Sequence, residues 1–287
     1  MAQLDSVGII GCGWLGTPLA KTLLAEDVDV LATRSNKENT AVLTEQGIEA
    51  EVLLLPATTA EMFAQLNQHR VFKQHNLVIA ITPQFKQGRA DYGEKVAQLV
   101  EAAKVQGQVK RIILLSSSAV YNGLLGVVNE ETSLDLSAEK VQALHDAEQA
   151  VLKFSNRSQL RRSYVLRLAG LVGPNRHPGK FLINSRIVKA PDSPVNLIHQ
   201  QDAQGLVLSL LNTEAPTGVF NGVSDTHVSK KSYYQAAAKA LSLPEPKFSD
   251  VELSAKEQPA PRRIVNGDKA QQVLSYQFVY PDLLTWL

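Results

Sequence analysis

The feature that most constrains the fold of this chain is a glycine-rich turn close to its start. Residues 7–10 form a short apolar run that is typical of a buried strand, and leucines at helical spacing begin at Leu15. The turn between them has the spacing G-x-G-x-x-G and consists of Gly11, Cys12, Gly13, Trp14, Leu15 and Gly16. A strand, a tight turn and a helix in this order predict the opening of an α/β fold.

Each glycine of this turn has a physical reason to lack a side chain. Gly11 permits the tight turn, Gly13 lets backbone N–H groups approach a pyrophosphate, and Gly16 lets the helix pack closely on the strand. An anion bound there lies at the helix N-terminus, where unpaired N–H groups and the helix dipole favour negative charge. Residues 11–16 are therefore predicted to bind the pyrophosphate of a dinucleotide.

The end of the second apolar run bears on which dinucleotide binds. Residues 29–33 predict a second strand, and Thr33, Arg34 and Ser35 stand where a site for NAD places an acidic residue on the ribose 2′-hydroxyl. A guanidinium can clamp a 2′-phosphate with two hydrogen bonds, and hydroxyls can add more. The next carboxylate is Glu38, so the sequence favours NADP over NAD, unless Arg34 is an ordinary solvated loop residue.

Further apolar runs alternate with helical patterns through the first 170 residues. These strand candidates are residues 51–55, 77–81, 111–115 and 164–168. Continuous apolar runs, rather than alternating ones, indicate strands that are buried on both faces of a parallel sheet. The sequence therefore predicts a Rossmann-type, doubly wound parallel sheet with helices between its strands.

The pattern of alternating strands and helices and the composition both change after this region. Residues 173–180 are rich in glycine, proline and polar groups and predict a loop, while Asp202 and Ser229 are candidate N-caps of two later helices. We divide the chain into a Rossmann domain, residues 1–170, and a smaller substrate-binding lobe, residues 171–287. Residues 195–222 are expected to return to the first domain.

Composition limits the classes of function. The chain has 287 residues, and its 29 basic and 28 acidic side chains nearly cancel, so no broad basic surface for nucleic acid is indicated. The sequence has no apolar run near the ~20 residues that span a bilayer, and its first residues lack a secretory signal pattern. With Cys12 as the single cysteine, we expect a cytoplasmic protein that binds a small molecule, holds no metal and contacts no membrane.

Two further segments follow predicted strands at the same edge of the sheet. Ile81 and Thr82 end the fourth strand, so their backbone is expected to approach the nicotinamide half of the cofactor. Ser116, Ser117 and Ser118 follow the fifth strand and place three hydroxyls where a substrate would meet the nicotinamide.

Several segments together resemble the extended short-chain dehydrogenase/reductase family, in the NAD-dependent epimerase/dehydratase-like superfamily. Residues 116–121 are similar to its Ser-Ser-x-x-Val-Tyr-Gly stretch, residues 167–174 to its Arg-Pro-x-x-x-Tyr-Gly-Pro segment, and residues 196–202 to a histidine followed by an aspartate that opens a helix. The GWLG of the turn and the RHPG of the later loop resemble an atypical branch that holds the bacterial YeeZ-like proteins. The resemblance extends over nearly the whole chain.

By this resemblance Ser117 polarises the substrate oxygen; otherwise it is a strand-end serine satisfied by the backbone. Hydride-transferring members of the family use a Tyr-x-x-x-Lys pair, in which the lysine lowers the pKa of the tyrosine. Aligning residues 148–152 with the usual end of that helix puts Lys140 at the tyrosine position and Leu144 at the lysine position. None of the seven tyrosines lies in a Tyr-x-x-x-Lys pattern.

This gap leaves three hypotheses open. The chain is an enzyme with a substitute proton carrier, for which Lys140, Tyr121, His177 and His145 are candidates. Alternatively, it is a non-catalytic protein that senses the NADPH/NADP ratio, or a structural protein that has lost cofactor binding. The intact glycine turn argues against the third hypothesis.

The loop after Gly173 adds candidates for substrate binding. Arg176 and Lys180 flank His177 and would bind a phosphate if the substrate carries one, as the nucleotide sugars of the resembling family do. The alternative is a solvent-exposed loop. The resemblance also implies a homodimer formed through the helices at residues 91–106 and 137–154.

Overall fold

The computed structural model describes residues 4–156, 158, 160–182, 187–249 and 262–287. Numbered along the chain, its strands are β1 (Ser6–Ile10), β2 (Asp29–Arg34), β3 (Ala50–Val52), β4 (Asn76–Ile79), β5 (Arg111–Ser117), β6 (Gly126–Val128), β7 (Arg162–Leu168), β8 (Gly170–Val172), β9 (Ile187–Val188), β10 (Leu197–His199), β11 (Gly218–Gly222), β12 (Lys247–Phe248) and β13 (Arg263–Val265). The helices are α1 (Gly16–Ala25), α2 (Lys37–Thr44), α3 (Ala60–Gln68), α4 (Tyr92–Gln106), α5 (Glu139–Leu152), α6 (Gln200–Asn212), α7 (Lys230–Ala240) and α8 (Asp268–Leu274).

Seven of these strands form one parallel sheet in the order β11-β7-β5-β4-β1-β2-β3. β1 lies between β2 and β4, with Ile10 in register with Thr33 on one side and with Ile79 on the other. The strand order reverses at this point, and such a reversal opens a crevice at the carboxyl ends of the strands. The sheet and its flanking helices confirm the predicted Rossmann-type α/β fold.

The apolar runs form the centre of the sheet because both of its faces are covered. Val7, Ile9, Leu77 and Val78 are fully buried. β3 differs from the prediction of a strand over residues 51–55, since it ends at Val52. It is the edge strand with β2 as its neighbour in the sheet, and Leu54 beyond it is 58% exposed.

The second half of the chain contributes both to the large sheet and to smaller structures. β11 extends the large sheet beside β7. Three two-stranded parallel pairs lie outside it, formed by β8 with β10, β9 with β12, and β6 with β13. A separate cluster of buried residues, Val172, Val195, Tyr233 and Leu283, holds this part together. The domain boundary at residue 170 stays a prediction.

The two expected helix caps have different outcomes. Ser229 caps α7 by accepting a hydrogen bond from the Ser232 N–H at 3.1 Å, which confirms the prediction. Asp202 is not a cap, because α6 begins at Gln200 and the cap is His199.

The Asp202 carboxylate lies fully buried in the first turn of α6 and serves the C-terminal segment instead. It accepts hydrogen bonds from the hydroxyl of Tyr276 and the backbone N–H groups of Val279 and Tyr280 at 2.7–3.0 Å. Within the described residues, no helix is long and apolar enough to cross a membrane.

Candidate functional site

A cavity of about 840 Å³ opens at the carboxyl edge of the sheet, next to the reversal between β1 and β4. Its volume is in the range of small-molecule and cofactor sites. The predicted site residues that line it are Gly11, Gly13, Trp14, Leu15, Gly16, Thr33, Arg34, Ser35, Ile81, Thr82, Ser116, Ser117 and Arg176. Those that do not line it are Cys12, Tyr121, Lys140, His177 and Lys180.

The glycine turn is shaped so tightly that side chains would not fit. Gly11 has a φ of +84°, and a Cβ there would lie 2.9 Å from the backbone nitrogen of Ile81. The Gly11 N–H donates to Thr33 Oγ1 at 3.3 Å. The Cys12 thiol is buried beneath the turn, and this burial raises the pKa of the thiol. Cys12 therefore packs the turn and does not face the cavity.

The turn leads into a helix start that suits an anion. α1 begins at Gly16, and the preceding Leu15 provides no side-chain cap for the first N–H groups. A Cβ at Gly16 would lie 3.2 Å from Ile9 Cγ2, so the missing side chain lets α1 approach β1. Uncapped N–H groups and the helix dipole can hold a pyrophosphate here. The residues of the turn thus fit a dinucleotide.

Arg34 extends from the end of β2 across the glycine turn. Its Nη1 donates to the backbone oxygen of Cys12 at 2.7 Å. A Cβ at Gly13 would lie 3.2 Å from the same nitrogen, so the guanidinium lies directly against the turn. One N–H of the five is bonded to this carbonyl, and the planar group retains donors for a phosphate. Neighbouring Thr33 is buried, and Ser35 lines the cavity.

The charge of the lining has one sign. Its charged side chains are Arg34, Lys95, Arg176 and Arg263, and no carboxylate lies among its described residues. A concave site with cations alone attracts anionic ligands. Across the described part of the chain, no group of His, Cys, Asp and Glu is arranged to hold a metal ion.

The serines at the end of β5 have separate partners. Ser116 Oγ donates to Glu148 Oε1 at 2.6 Å. Ser117 Oγ accepts from the Ala119 N–H at 3.1 Å and thereby caps the short 3₁₀ turn Ser118–Tyr121. The Ser117 hydroxyl still has its proton to donate, and it lines the cavity. Its geometry is compatible both with capping and with binding a substrate oxygen.

Below the serines lies a buried ion pair. Arg167 on β7 binds Glu148 on α5 through Nη2 at 2.6 Å and Nε at 3.0 Å, and the two side chains are 5% and 1% exposed. Arg167 Nη1 also donates to the hydroxyl of Tyr121 at 2.8 Å, and this hydroxyl donates to Asn221 Oδ1 at 2.9 Å. These contacts connect α5, β5, β7 and β11 beneath the floor of the cavity.

The structure does not bring the candidate proton carriers to the cavity. Tyr121 is fully buried in this network, and burial raises the pKa of its hydroxyl. Lys140 is exposed on α5, and His145 is half-buried on the same helix. The ring of His177 packs 5.3 Å from that of Trp286, and its pKa is lowered by burial. The position of these residues in the sequence therefore did not predict the direction of their side chains.

The loop at residues 173–180 reaches the glycine turn through Trp14. Trp14 Nε1 donates to the backbone oxygen of Pro174 at 3.1 Å, and the guanidinium carbon of Arg176 lies 5.3 Å from the Trp14 ring centroid. Gln200 Nε2 adds a bond to the Trp14 backbone oxygen at 2.8 Å. Arg176 therefore lines the cavity, while Lys180 is exposed outside it.

Sequence reasoning missed two cations of the lining. Lys95 lies on the buried face of α4, three residues after Tyr92. A lysine within this apolar pattern could have indicated a functional role from the sequence alone. Arg263 lies on β13 and donates through Nη2 to Asn122 Oδ1 at 3.2 Å. Its segment carries no pattern that places it beside Asn122.

Comparisons with known proteins agree with this geometry. Residues 11–161, more than half of the chain, match the model of a family described as NAD(P)H-binding. Protein YeeZ of Escherichia coli (strain K12) is 29% identical over 287 residues, which cover 98% of both chains. This match confirms the likeness to the YeeZ-like branch.

Solved structures share the fold. MoeE5 in complex with UDP-glucuronic acid and NAD has a TM-score of 0.73 at 18% identity, covering 98% of this chain and 97% of that one. UDP-glucose 4-epimerase from Thermotoga maritima, solved with UDP-glucose, has a TM-score of 0.74 at 14% identity, covering 95% and 93%. The epimerase/dehydratase-like fold thus extends over nearly the whole chain.

Proposed function

This chain belongs to the NAD(P)H-binding family, and from that premise we propose that its cavity binds NADP(H) in preference to NAD(H). The observation that carries the proposal is the position of Arg34, whose guanidinium lies against the glycine turn with a hydrogen bond of 2.7 Å to Cys12. A cation at this point attracts a 2′-phosphate, and no carboxylate stands among the described lining residues to bind a 2′-hydroxyl instead.

Each part of the cofactor has residues to hold it in this proposal. The backbone of residues 11–16 binds the pyrophosphate, and Arg34 with Thr33 and Ser35 binds the adenosine end. The backbone at Ile81 and Thr82 lies beside the nicotinamide half.

We propose further that the protein is an oxidoreductase or an epimerase/dehydratase-like enzyme for a small polar metabolite. The bound cofactor would supply hydride chemistry. Ser117 would donate a hydrogen bond from its hydroxyl to the reacting oxygen of the substrate while its own oxygen caps the 3₁₀ turn. Arg176 and the cationic lining favour an anionic metabolite, and the structural neighbours bound to UDP-glucuronic acid and UDP-glucose make a nucleotide-sugar-like compound a reasonable first choice.

A second function, a non-catalytic sensor of the NADPH/NADP ratio, is favoured by one observation. The candidate proton carriers Tyr121, Lys140 and His177 lie outside the cavity lining. An assay that follows NADPH oxidation with a panel of carbonyl metabolites, together with product formation from nucleotide sugars at catalytic amounts of cofactor, separates the two functions, because an epimerase or dehydratase regenerates its cofactor and consumes none. An enzyme turns over at least one of them and loses activity in Ser117→Ala, whereas a sensor turns over none and binds a partner protein differently with NADPH than with NADP.

The cofactor proposal is tested by titrating NADPH and NADH and following energy transfer from Trp14, which lines the cavity. Arg34→Ala should weaken NADPH binding about 10- to 100-fold, since bonds to a charged group contribute ~1.5–3 kcal/mol. NADH binding should change little, which shows that the turn is still formed. Arg70→Ala, at an exposed arginine paired with Glu49 and Glu51, is the matched control.

Two results would contradict the proposal. If Arg34→Ala weakens NADPH and NADH equally, the guanidinium does not recognise the 2′-phosphate. If the wild-type protein binds neither dinucleotide, the glycine turn serves another ligand.

A further inference from the structure

Lys95 occupies an unusual place for a lysine. It lies on α4, is 6% exposed, and lines the cavity. Lysine is among the side chains most rarely buried, because taking its charge out of water is unfavourable. Lys95 Nζ lies 2.9 Å from Asp91 Oδ1, and Arg89 binds the same carboxylate at 2.8 Å. One acidic group is thus shared by two cations, so Asp91 only partly compensates the charge of Lys95.

The position of Lys95 within the cavity suggests what it binds. α4 follows β4, and Ile81 and Thr82 just beyond that strand line the same cavity, as do Ser116 and Ser117 at the end of β5. A dinucleotide whose pyrophosphate lies on the glycine turn extends toward these strand ends with its nicotinamide half. The ammonium has three N–H donors, and the ion pair with Asp91 leaves others for a ligand.

The other cations of the lining belong to other parts of the cavity. Arg34 and Arg176 both contact the glycine turn, through Cys12 and Trp14 respectively. Arg263 comes from β13 and bonds to Asn122. α5 contributes Leu144 to the lining, which cannot donate a hydrogen bond. Within the described lining, Lys95 is therefore the charged donor that the helices beside β4 and β5 provide.

Tyr92 gives a second indication that this corner is built for a polar ligand. It lies three residues before Lys95, so both side chains emerge on one face of α4. Its ring lines the cavity, its side chain is 1% exposed, and its hydroxyl has no hydrogen-bond partner within the described structure. A buried hydroxyl without a partner is unfavourable, and a ligand oxygen that reached it would supply the missing hydrogen bond.

We propose that Lys95 binds the nicotinamide riboside half of the cofactor, with its ammonium donating hydrogen bonds to the ribose hydroxyl oxygens. This inference rests on the proposed binding of NADP(H). In this proposal Lys95 on α4 provides the charged contact to the cofactor, since Leu144 on α5 has an uncharged side chain. Arg34 and Lys95 would then divide the cofactor between them, the first holding the adenosine end and the second the nicotinamide end.

The division can be tested by titrating the full-length protein with two probes. NADPH contains both halves of the cofactor, whereas 2′-phosphoadenosine 5′-diphosphate keeps the adenosine end and the pyrophosphate but lacks the nicotinamide riboside. Lys95→Met should weaken NADPH about 10- to 100-fold, the equivalent of losing hydrogen bonds from a charged donor. The affinity for 2′-phosphoadenosine 5′-diphosphate should stay within about twofold, and its retention shows that the variant is folded.

Two control variants separate binding from a purely structural role. Lys104→Met removes an exposed lysine of the same helix, paired with Glu101 at 3.5 Å, and should change neither affinity. Asp91→Asn breaks the ion pair but keeps the ammonium, so NADPH binding should remain close to that of the wild type. If Asp91→Asn weakens NADPH as much as Lys95→Met does, Lys95 acts only through its ion pair and the proposal is wrong.

The remaining outcomes are equally decisive. Unchanged NADPH binding in Lys95→Met overturns the proposal. An equal loss of both probes in Lys95→Met also overturns it, because the effect is then not confined to the nicotinamide half. Wild-type protein that binds neither probe would instead remove the proposed function itself, and that result is visible before any variant is compared.

Discussion

The two ends of the cavity are built by different means. At the glycine turn the main chain provides the surface, with Gly11 at a φ of +84° and Gly13 leaving room for Arg34. At the serine end, side chains provide it, and each is held by a partner behind the surface: Ser116 by the buried Glu148, and Lys95 by the partly exposed Asp91. The first end depends on the absence of side chains, and the second depends on pairs of them.

This difference predicts why a substitution at each end would destabilise the protein. A substitution at Gly11 introduces a Cβ where the backbone at Ala80 and Ile81 already lies, so its cost is steric. A substitution at the serine end removes one partner of a buried pair, so its cost is an uncompensated charge. The largest effect on stability is therefore expected at the serine end.

Arg167→Met should be the most destabilising change. It leaves the Glu148 carboxylate, 1% exposed, with the Ser116 hydroxyl but without its cation. Breaking such a buried pair costs ~3–5 kcal/mol, measured as a loss in the free energy of unfolding in urea. Arg70→Met, at an exposed ion pair on the surface, should have little effect.

The double variant Arg167→Met/Glu148→Met completes that test. Removing both charges should recover most of the stability, because no unpaired charge is left buried and only the Ser116 hydroxyl loses its acceptor. If Arg167→Met costs no more than Arg70→Met, the serine end is not held together by its ion pair.

Gly11→Ala should have the next largest effect. A Cβ at Gly11 meets the backbone nitrogen of Ile81 at 2.9 Å, in addition to the strain of a positive φ. Gly47→Ala is the matched control, since Gly47 has a φ of +77° and nothing within 4 Å of its Cβ position. The control should lose ~1–2 kcal/mol from φ alone, and Gly11→Ala should lose more. Equal losses in urea denaturation would show that the turn can shift to accept a side chain.

The same contrast explains what the sequence could predict. The turn at residues 11–16 is encoded by neighbours in the chain, because glycine spacing and apolar runs determine local backbone geometry. The strands of the large sheet were found in the same way, and Arg34 follows from its position at the end of β2. The fold and the glycine end of the cavity could therefore be predicted from the sequence.

The serine end could not be predicted from the sequence, since its contacts join distant parts of the chain. Tyr121 stands next to the serines in sequence, but the 3₁₀ turn directs it into the core, where it meets Asn221, 100 residues away. Arg263 reaches Asn122 across 141 positions. Such pairs depend on the order of strands in the sheet, which apolar periodicity does not specify.

The smallest predicted effect is a change in stability with pH. It is expected at the serine end of the cavity and not at the glycine turn. The Arg89 guanidinium, with help from Lys95, lowers the pKa of Asp91 to about 2, although partial burial opposes this shift. Because an unfolded aspartate has a pKa of ~3.9, Asp91 stabilises the fold above that value, and the contribution is lost as the pH falls from about 4 toward 2. The stability difference between wild type and Asp91→Asn should therefore be constant from pH 7 to about 5 and shrink below about 4.

Gly11→Ala provides the comparison for this measurement. No carboxylate or histidine lies among the described residues that line the cavity, so no side chain of the lining changes its charge in this range. The stability difference between wild type and Gly11→Ala should thus stay constant while that of Asp91→Asn shrinks. The Asp91 side chain is 22% exposed and solvent screens its ion pairs, so its effect is small and needs denaturation curves at several pH values. A difference that grows on acidification would mean that Asp91 is not held ionised by its two cations.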